Sequence, residues 1–530
     1  MRRKTWIMSL LAVLMVMAMV AACGPAVDDD PEVDPDPDPD EEPDPVEPDE
    51  PTELRMGLAA DATNLDPRLA TDVYSANINN LVYAGLLTWD DETLEIEPYV
   101  AEEIEIPDDT TYIFHLHEGI KFHDGEELTA EDVKYTYDTF RDPDFGARNI
   151  AFYEPIDEIV VVDDYTVEFR MEEPNAPFLY YLAPGIIPKH HADEHGDEVL
   201  QTEPMGAGPY VFQEWVPNDR IVLEAHEDFF QGELDIDEII FRPIPEVSTK
   251  LIELETGGVH VIDGIPPEEV ERLREEPEVE VTVRPGTGFN YFSYHHTEEP
   301  FDDVRMRQAF AYGIDMEALV DHVYYGIRDV AYSPIIPTSW AHNPDVRKFG
   351  HEPEEAQSLM EEAGYGDGIT VDFKHSEGEV TRELVEITQH QLAEIGLNLE
   401  VHEQEWGAFY DDVLDGDFEA YTIGWSGQTD PDRGVYRQFH SRNWAPEGAN
   451  RQLYSNERVD ELLDAARTNV DQDVREGKYH EIQEILAEDQ SYTCISYYVT
   501  KAAHRPEVQN YEGRCGYFYT LPLKDATLTE

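Results

Sequence analysis

Three short segments carry the side chains best suited to hold a small molecule: Lys374-His375-Ser376, Glu403-Gln404-Glu405-Trp406 and Trp425-Ser426-Gly427-Gln428. Ser426 and Gln428 offer hydrogen-bond donors and acceptors, and Trp406 and Trp425 offer two indole faces. That is chemistry for recognition rather than for breaking bonds. Catalytic signatures are absent from the chain. No Gly-Lys-Ser/Thr phosphate loop occurs, and Gly424-Trp425-Ser426-Gly427 lacks the spacing of a nucleophile elbow. The His-Glu pairs that begin at His117, His226, His351, His402 and His480 are followed at the fifth position by Lys121, Phe230, Glu355, Trp406 and Glu484, so no zincin motif forms. His115, His117 and His123, and likewise His190, His191 and His195, are close in sequence. Such closeness supplies neither convergent ligands nor the outer partners of a metal site. No metal and no cofactor are expected.

The elements that must position these segments can be read from hydrophobic periodicity. Ile369 to Phe373 predicts a strand, Val380 to Ile395 a helix closed by Gly396, Leu397 to Val401 a strand, Trp406 to Leu414 a helix and Ala420 to Gly424 a strand. Strand, helix, strand, helix, strand forces parallel pairing with helices over the sheet, and ligands gather beyond the carboxyl ends of such strands. All three segments lie there. Upstream, Leu54 to Ala59 predicts a first strand, and Asp61 to Pro67 a turn-rich loop. Thr129 and Asp132 predict a capped helix start, and Ile159 to Val162 with Thr166 to Phe169 a hairpin. Further strands are predicted at Tyr210 to Trp215, Ile221 to Ala225 and Ile239 to Pro243.

Charge excludes whole classes of partner. The 530 residues include 36 Lys or Arg and 117 Asp or Glu, a formal charge of −81. Nucleic acid needs clustered cations to neutralise its phosphates, and no such cluster exists. Residues 28–50 contribute 9 Asp, 5 Glu, 7 Pro and 2 Val, the composition of an extended, self-repelling tether. The remaining body still carries 103 acidic against 33 basic residues, and only 10 of the chain's 36 basic residues are lysine. A surface of that kind suits a protein working in strong salt, where counterions screen its self-repulsion.

The N-terminus reads as an address. Arg2, Arg3 and Lys4 precede an apolar run from Trp6 to Ala22, and Val20-Ala21-Ala22-Cys23-Gly24 closes it. The residues before Cys23 resemble the lipobox of bacterial lipoproteins, which implies a signal peptide over 1–22 and a lipid on Cys23. Residues 23–50 then tether an extracytoplasmic body to the cell membrane. Two cysteines remain, Cys494 and Cys515, whose pairing as a disulfide stays open in an export compartment.

Motifs spread over the body resemble one family. Asn64-Leu65-Asp66-Pro67, then Gly119-Ile120-Lys121-Phe122-His123-Asp124-Gly125 running on to Val133, are followed in order by Gly206-Ala207-Gly208-Pro209-Tyr210. Pro300-Phe301-Asp302-Asp303-Val304-Arg305 and Gly424-Trp425 with Asp430-Pro431 complete the set. This pattern resembles the extracellular solute-binding proteins of the peptide and nickel ABC importers, family 5. The resemblance implies an α/β fold: a two-lobed periplasmic-binding-protein-like clamp with an extra inserted subdomain, its mixed sheets flanked by helices. It places the first lobe at 51–288, with the insertion at about 88–204, the second at 289–499 and a return to the first at 500–530. The hinge is expected near Arg284 to Asn290 and Val499 to Pro506.

The function so implied is capture of a peptide-like or other small solute by lobe closure and its delivery to an ABC permease, by a monomer without enzymatic activity. Receptors for nickel, haem or oligosaccharides remain alternatives, and an exported hydrolase a more distant one. Trp406, Trp425, Ser426 and Gln428 are expected on one wall of the site, and Asn64 and Tyr74 on the other. In similar peptide receptors an Asp shortly after Gly-Trp pairs with the peptide's amino group, and here Gln428 stands near that position. Asp430 has two readings, a ligand-binding carboxylate and a helix cap ahead of Pro431.

Overall fold

The computed structural model describes residues 51–90, 95–147, 150–427, 430–511 and 521–529; Cys23, Gln428 and Cys515 lie outside the described residues. The run of elements around the candidate segments forms as its periodicity predicts. Ile369–Ser376, Leu397–Gln404 and Ala420–Trp425 are strands, joined through the helices Glu379–Glu394 and Trp406–Asp415. Pairing is parallel, with Ile369–Ser376 in the middle: Ile369 lies opposite Leu397, and Phe373 opposite Ala420. The Trp406–Asp415 helix ends at Gly416 in the left-handed conformation (φ 75°), which only glycine adopts without strain.

Each helix presents one apolar stripe to the sheet: Leu384, Val385, Thr388 and Leu392 on one, Phe409 and Val413 on the other. The central strand Glu280–Tyr294 alternates between the two faces it separates. Phe292 and Tyr294 pack with Val371, Phe373 and Leu384, while Phe289 and Tyr291 pack with Phe409, Val413 and Tyr421. Both faces of this central strand are therefore buried, whereas Asn398, Glu400 and His402 leave one face of the edge strand Leu397–Gln404 exposed.

The three parallel strands are one end of a ten-stranded mixed sheet. From that end the order is Leu397–Gln404, Ile369–Ser376, Ala420–Trp425, Glu280–Tyr294, Tyr492–His504, Val261–Asp263, Glu53–Leu58, Glu238–Pro243, Arg220–Ala225 and Tyr210–Val216. Glu280–Tyr294 and Tyr492–His504 run antiparallel at its centre, and their pairing has two parts. Glu280 to Pro285 pair with His504 to Val499, Phe289 to Ser293 pair with Tyr497 to Tyr492, and the register shifts between Pro285 and Phe289. Gly286-Thr287-Gly288 fills that shift opposite Tyr498. A Cβ at Gly286 would lie 2.9 Å from Tyr498 backbone, and one at Gly288 would overlap the Trp425 carbonyl, so glycine is what lets these chains converge.

A second, four-stranded antiparallel sheet holds Ala101–Asp108, Thr111–Leu116, Thr166–Met171 and Ile156–Asp163, in that order. Its helix Ala130–Arg141 starts at the predicted capping box: the Thr129 backbone N–H donates to Asp132 Oδ2 at 2.9 Å. An aromatic core that includes Tyr112, Phe114, Tyr137, Phe140 and Phe169 binds sheet and helix together, and its residues run from Ala84 to Phe229. The same region touches the helices of the far half. Phe152 stacks on Tyr181 with centroids 4.2 Å apart, and the Arg433 guanidinium lies 5.5 Å from the Phe152 ring centre.

Candidate ligand-binding site

A crevice of about 390 Å³ opens at the carboxyl ends of the parallel strands, the position that their topology dictates. Ser376 ends one strand, Gly424 lies near the end of the next and Ser426 just past it; Trp406 begins the helix beyond the third. The Glu405 carboxylate caps that helix, accepting from the Gly407 N–H at 2.8 Å, and this fixes Trp406 at the rim. The indole is 54% exposed and stacks on Tyr410 one turn later, at 5.6 Å and 20°. Val380 and Leu384 supply an apolar wall.

The floor is a hydrogen-bonded group brought from three parts of the chain. Asn290 donates from its amide to the Tyr324 hydroxyl at 2.8 Å, and its Oδ1 accepts from the Ser496 hydroxyl at 2.7 Å. Arg328 lies with its guanidinium 4.0 Å from the Tyr324 ring centre and 4.9 Å from that of Tyr498, and its Nη1 donates to Ser496 Oγ at 3.4 Å. Gly424 makes room for Tyr498, because a Cβ at 424 would overlap the tyrosine hydroxyl.

The candidate residues are only partly brought together. Trp406 and Ser426 line the crevice, whereas the Trp425 ring packs in the core on the opposite face, beside the Arg451 guanidinium at 5.4 Å. Strand alternation is the reason, since Gly424 and Ser426 turn the other way. Of the neighbouring segments, Lys374 is held by Asp412 and Asp417 at 2.8 and 2.9 Å, and Glu403 by Arg382.

Asp430 does not line the crevice. It caps Pro431–Phe439 by accepting from the Asp432 N–H at 2.8 Å, and both its oxygens accept from Arg475 Nη2 at 3.0 Å. Burial pushes its carboxyl up, and the adjacent guanidinium opposes that shift. Asn64 is engaged in its own turn, accepting from the Asp66 N–H at 2.9 Å. Tyr74 packs against the core of the first half of the sheet, and burial together with Asp263 and Asp72 pushes its hydroxyl up to about 12. Neither belongs to the crevice walls. Among the described residues Cys494 is a free thiol.

Arg328, Tyr324 and Tyr498 are marked by no pattern in the sequence, and Asn290 enters it only as the end of the expected hinge segment. Ser496, which joins Arg328 to Asn290, is 168 residues away from Arg328, and no linear motif spans such a contact.

Comparison with known proteins agrees with this architecture. Residues 95–446 match the family model described as bacterial extracellular solute-binding proteins, family 5 Middle. The oligopeptide-binding protein AppA of Bacillus subtilis (strain 168) is 30% identical over 539 residues, covering 97% of this chain and 96% of the relative. Among solved structures, HbpA2 from Haemophilus parasuis superposes with a TM-score of 0.83 at 26% identity, over 90% of this chain and all of that one (100%). The ABC transporter-associated periplasmic binding protein DppA from Helicobacter pylori, solved with the peptide STSA, gives a TM-score of 0.76 at 27% identity, over 91% of this chain and 99% of its own. The fold is that of the periplasmic binding proteins, a mixed α/β architecture around a large sheet. The chain belongs to the bacterial extracellular solute-binding proteins of family 5, receptors that serve ABC importers.

Proposed function

We propose that this receptor captures a peptide-like solute in the crevice at the strand ends and delivers it, unaltered, to a membrane permease. The observation that carries this reading is the crevice itself. An apolar wall and an exposed indole flank polar groups on a preformed hydrogen-bonded floor, at the site where a parallel sheet binds ligands. The likeness to the oligopeptide-binding protein AppA and to DppA, solved with a peptide, supports a peptide-like solute.

Residues 51–288 with 500–530 form one moving lobe in this reading, and 289–499 the other. The shift around Gly286 to Gly288 opposite Tyr498 is the hinge, because only the two long strands belong to both halves of the sheet. The Phe152, Tyr181 and Arg433 contact then joins the lobes when they close. Lipid on Cys23 and the acidic tether hold the monomeric body outside the membrane.

Thermal-shift screening of peptides, saccharides and metal chelates against the full chain tests this. A peptide that raises the melting temperature and is recovered intact supports the proposal. Hydrolysis of that peptide, or a response confined to chelates or sugars, overturns it.

A further inference from the structure

We infer that the crevice binds an oxyanion of the solute, a carboxylate or a phosphate, on the guanidinium of Arg328, so that the captured solute is acidic. The inference rests on the proposed capture of solute in this crevice and deepens it.

The lining is the first reason. In a chain with 117 acidic residues, none of the thirteen residues that line the crevice is Asp or Glu, and one, Arg328, is a cation. A receptor for a basic or amino-terminal group would place a carboxylate there. The second reason is the state of Arg328. Many cations of this protein are taken up by the abundant carboxylates, as Arg220 is by Glu214, Arg382 by Glu403 and Arg467 by Asp432, although Arg307 and Arg451 are not. Arg328 pairs with no carboxylate among the described residues, and its buried Nε has no hydrogen-bond partner. Two tyrosine rings lie against the guanidinium, their centres 4.0 and 4.9 Å from its carbon, and hold it in place as a donor for a planar, two-point acceptor such as carboxylate or phosphate.

Lys501 is the third reason. It lies three residues beyond Tyr498 on the same strand, half-buried, and no carboxylate pairs with it among the described residues. Burial, reinforced by the charge of Arg328, lowers its ammonium to about 8, and Glu268 opposes this. The charges of Arg328 and Lys501 act on one another inside a strongly negative protein. An incoming oxyanion relieves their repulsion.

The test uses the full chain and tetrapeptides of matched size carrying Glu, Gln, Lys or phosphoserine, with citrate and inorganic phosphate as non-peptide anions. Titration calorimetry should show tighter binding of the Glu peptide than of the Gln peptide by at least tenfold. Arg328→Gln should erase that difference, and Arg328→Lys should restore part of it, which separates lost charge from lost packing. Citrate or phosphate competing without peptide assigns the site to the anion alone, and competition by the phosphoserine peptide only assigns it to an anion carried on a peptide. Preference for the Gln or Lys peptide, or no binding by any acidic probe, overturns the inference. Ser426→Trp, which fills the crevice, separates the two readings. If it abolishes peptide binding while Arg328→Gln leaves the Glu-over-Gln preference intact, capture in the crevice stands and the anion assignment falls. If neither variant changes binding, the crevice is not the site.

Discussion

At the scale of single residues, charge placement decides what each ionisable group does. Asp430 and Arg475 are a buried pair, 1% and 6% exposed at their side chains, and the carboxylate also caps a helix. Arg475→Met should cost about 3–5 kcal/mol, since it strands a buried charge. The loss should be larger at neutral pH than in acid, because burial favours the protonated carboxyl and that form needs no partner. Urea unfolding at the two pH values measures this, and an equal loss at both would contradict it. Lys501 behaves oppositely. Its ammonium is charged below about 8, and an oxyanion beside it raises that value, so binding takes up a proton. Affinity for the Glu peptide should therefore fall by about tenfold between pH 7 and pH 9, as the charged fraction falls. Lys501→Arg should flatten the profile, and an unchanged slope in that variant would remove Lys501 from the site. Gly424→Ala should weaken peptide binding and lower stability by roughly 1–3 kcal/mol, since the added methyl overlaps the Tyr498 hydroxyl.

At the scale of elements, the parallel strands and their helices were legible because each carries a full apolar stripe and a glycine stop, as at Leu384, Leu392 and Gly396. The location of the crevice followed from that topology alone, which is why Ser376, Trp406 and Ser426 could be anticipated. Trp425 could not be placed on a face without knowing that Ser426 turns inward. Asn64 opens a motif and Tyr74 lies a few residues beyond it, but the structure engages the first in a turn and packs the second against a core. The contact between halves was also illegible, because Phe152 and Arg433 meet across nearly 300 residues only when both elements are folded. If it holds the lobes closed, Phe152→Ala should remove about 1 kcal/mol of ring contacts and weaken peptide affinity roughly fivefold, chiefly through faster release. Stopped-flow dissociation checks this. A lower melting temperature with unchanged release would make the contact merely structural.

At the scale of the whole molecule, the body's 103 acidic and 33 basic residues set a negative field around a crevice whose charged lining is positive. The outer field repels an acidic solute at a distance, and salt screens it as the Debye length shrinks from about 10 Å at 0.1 M to about 3 Å at 1 M. Contacts inside the crevice are screened less. Association of the Glu peptide, followed by tryptophan fluorescence, should accordingly quicken with salt over that range, and a steep slowing would contradict a repulsive outer field. The most direct measurement is a crystal structure of the full chain with the solute that binds it. The solute should lie intact between Trp406 and Ser426, with an oxyanion on Arg328 and the Phe152 contact to Arg433 formed. A solute bound outside this crevice, or one found cleaved, would contradict capture by closure at the strand ends.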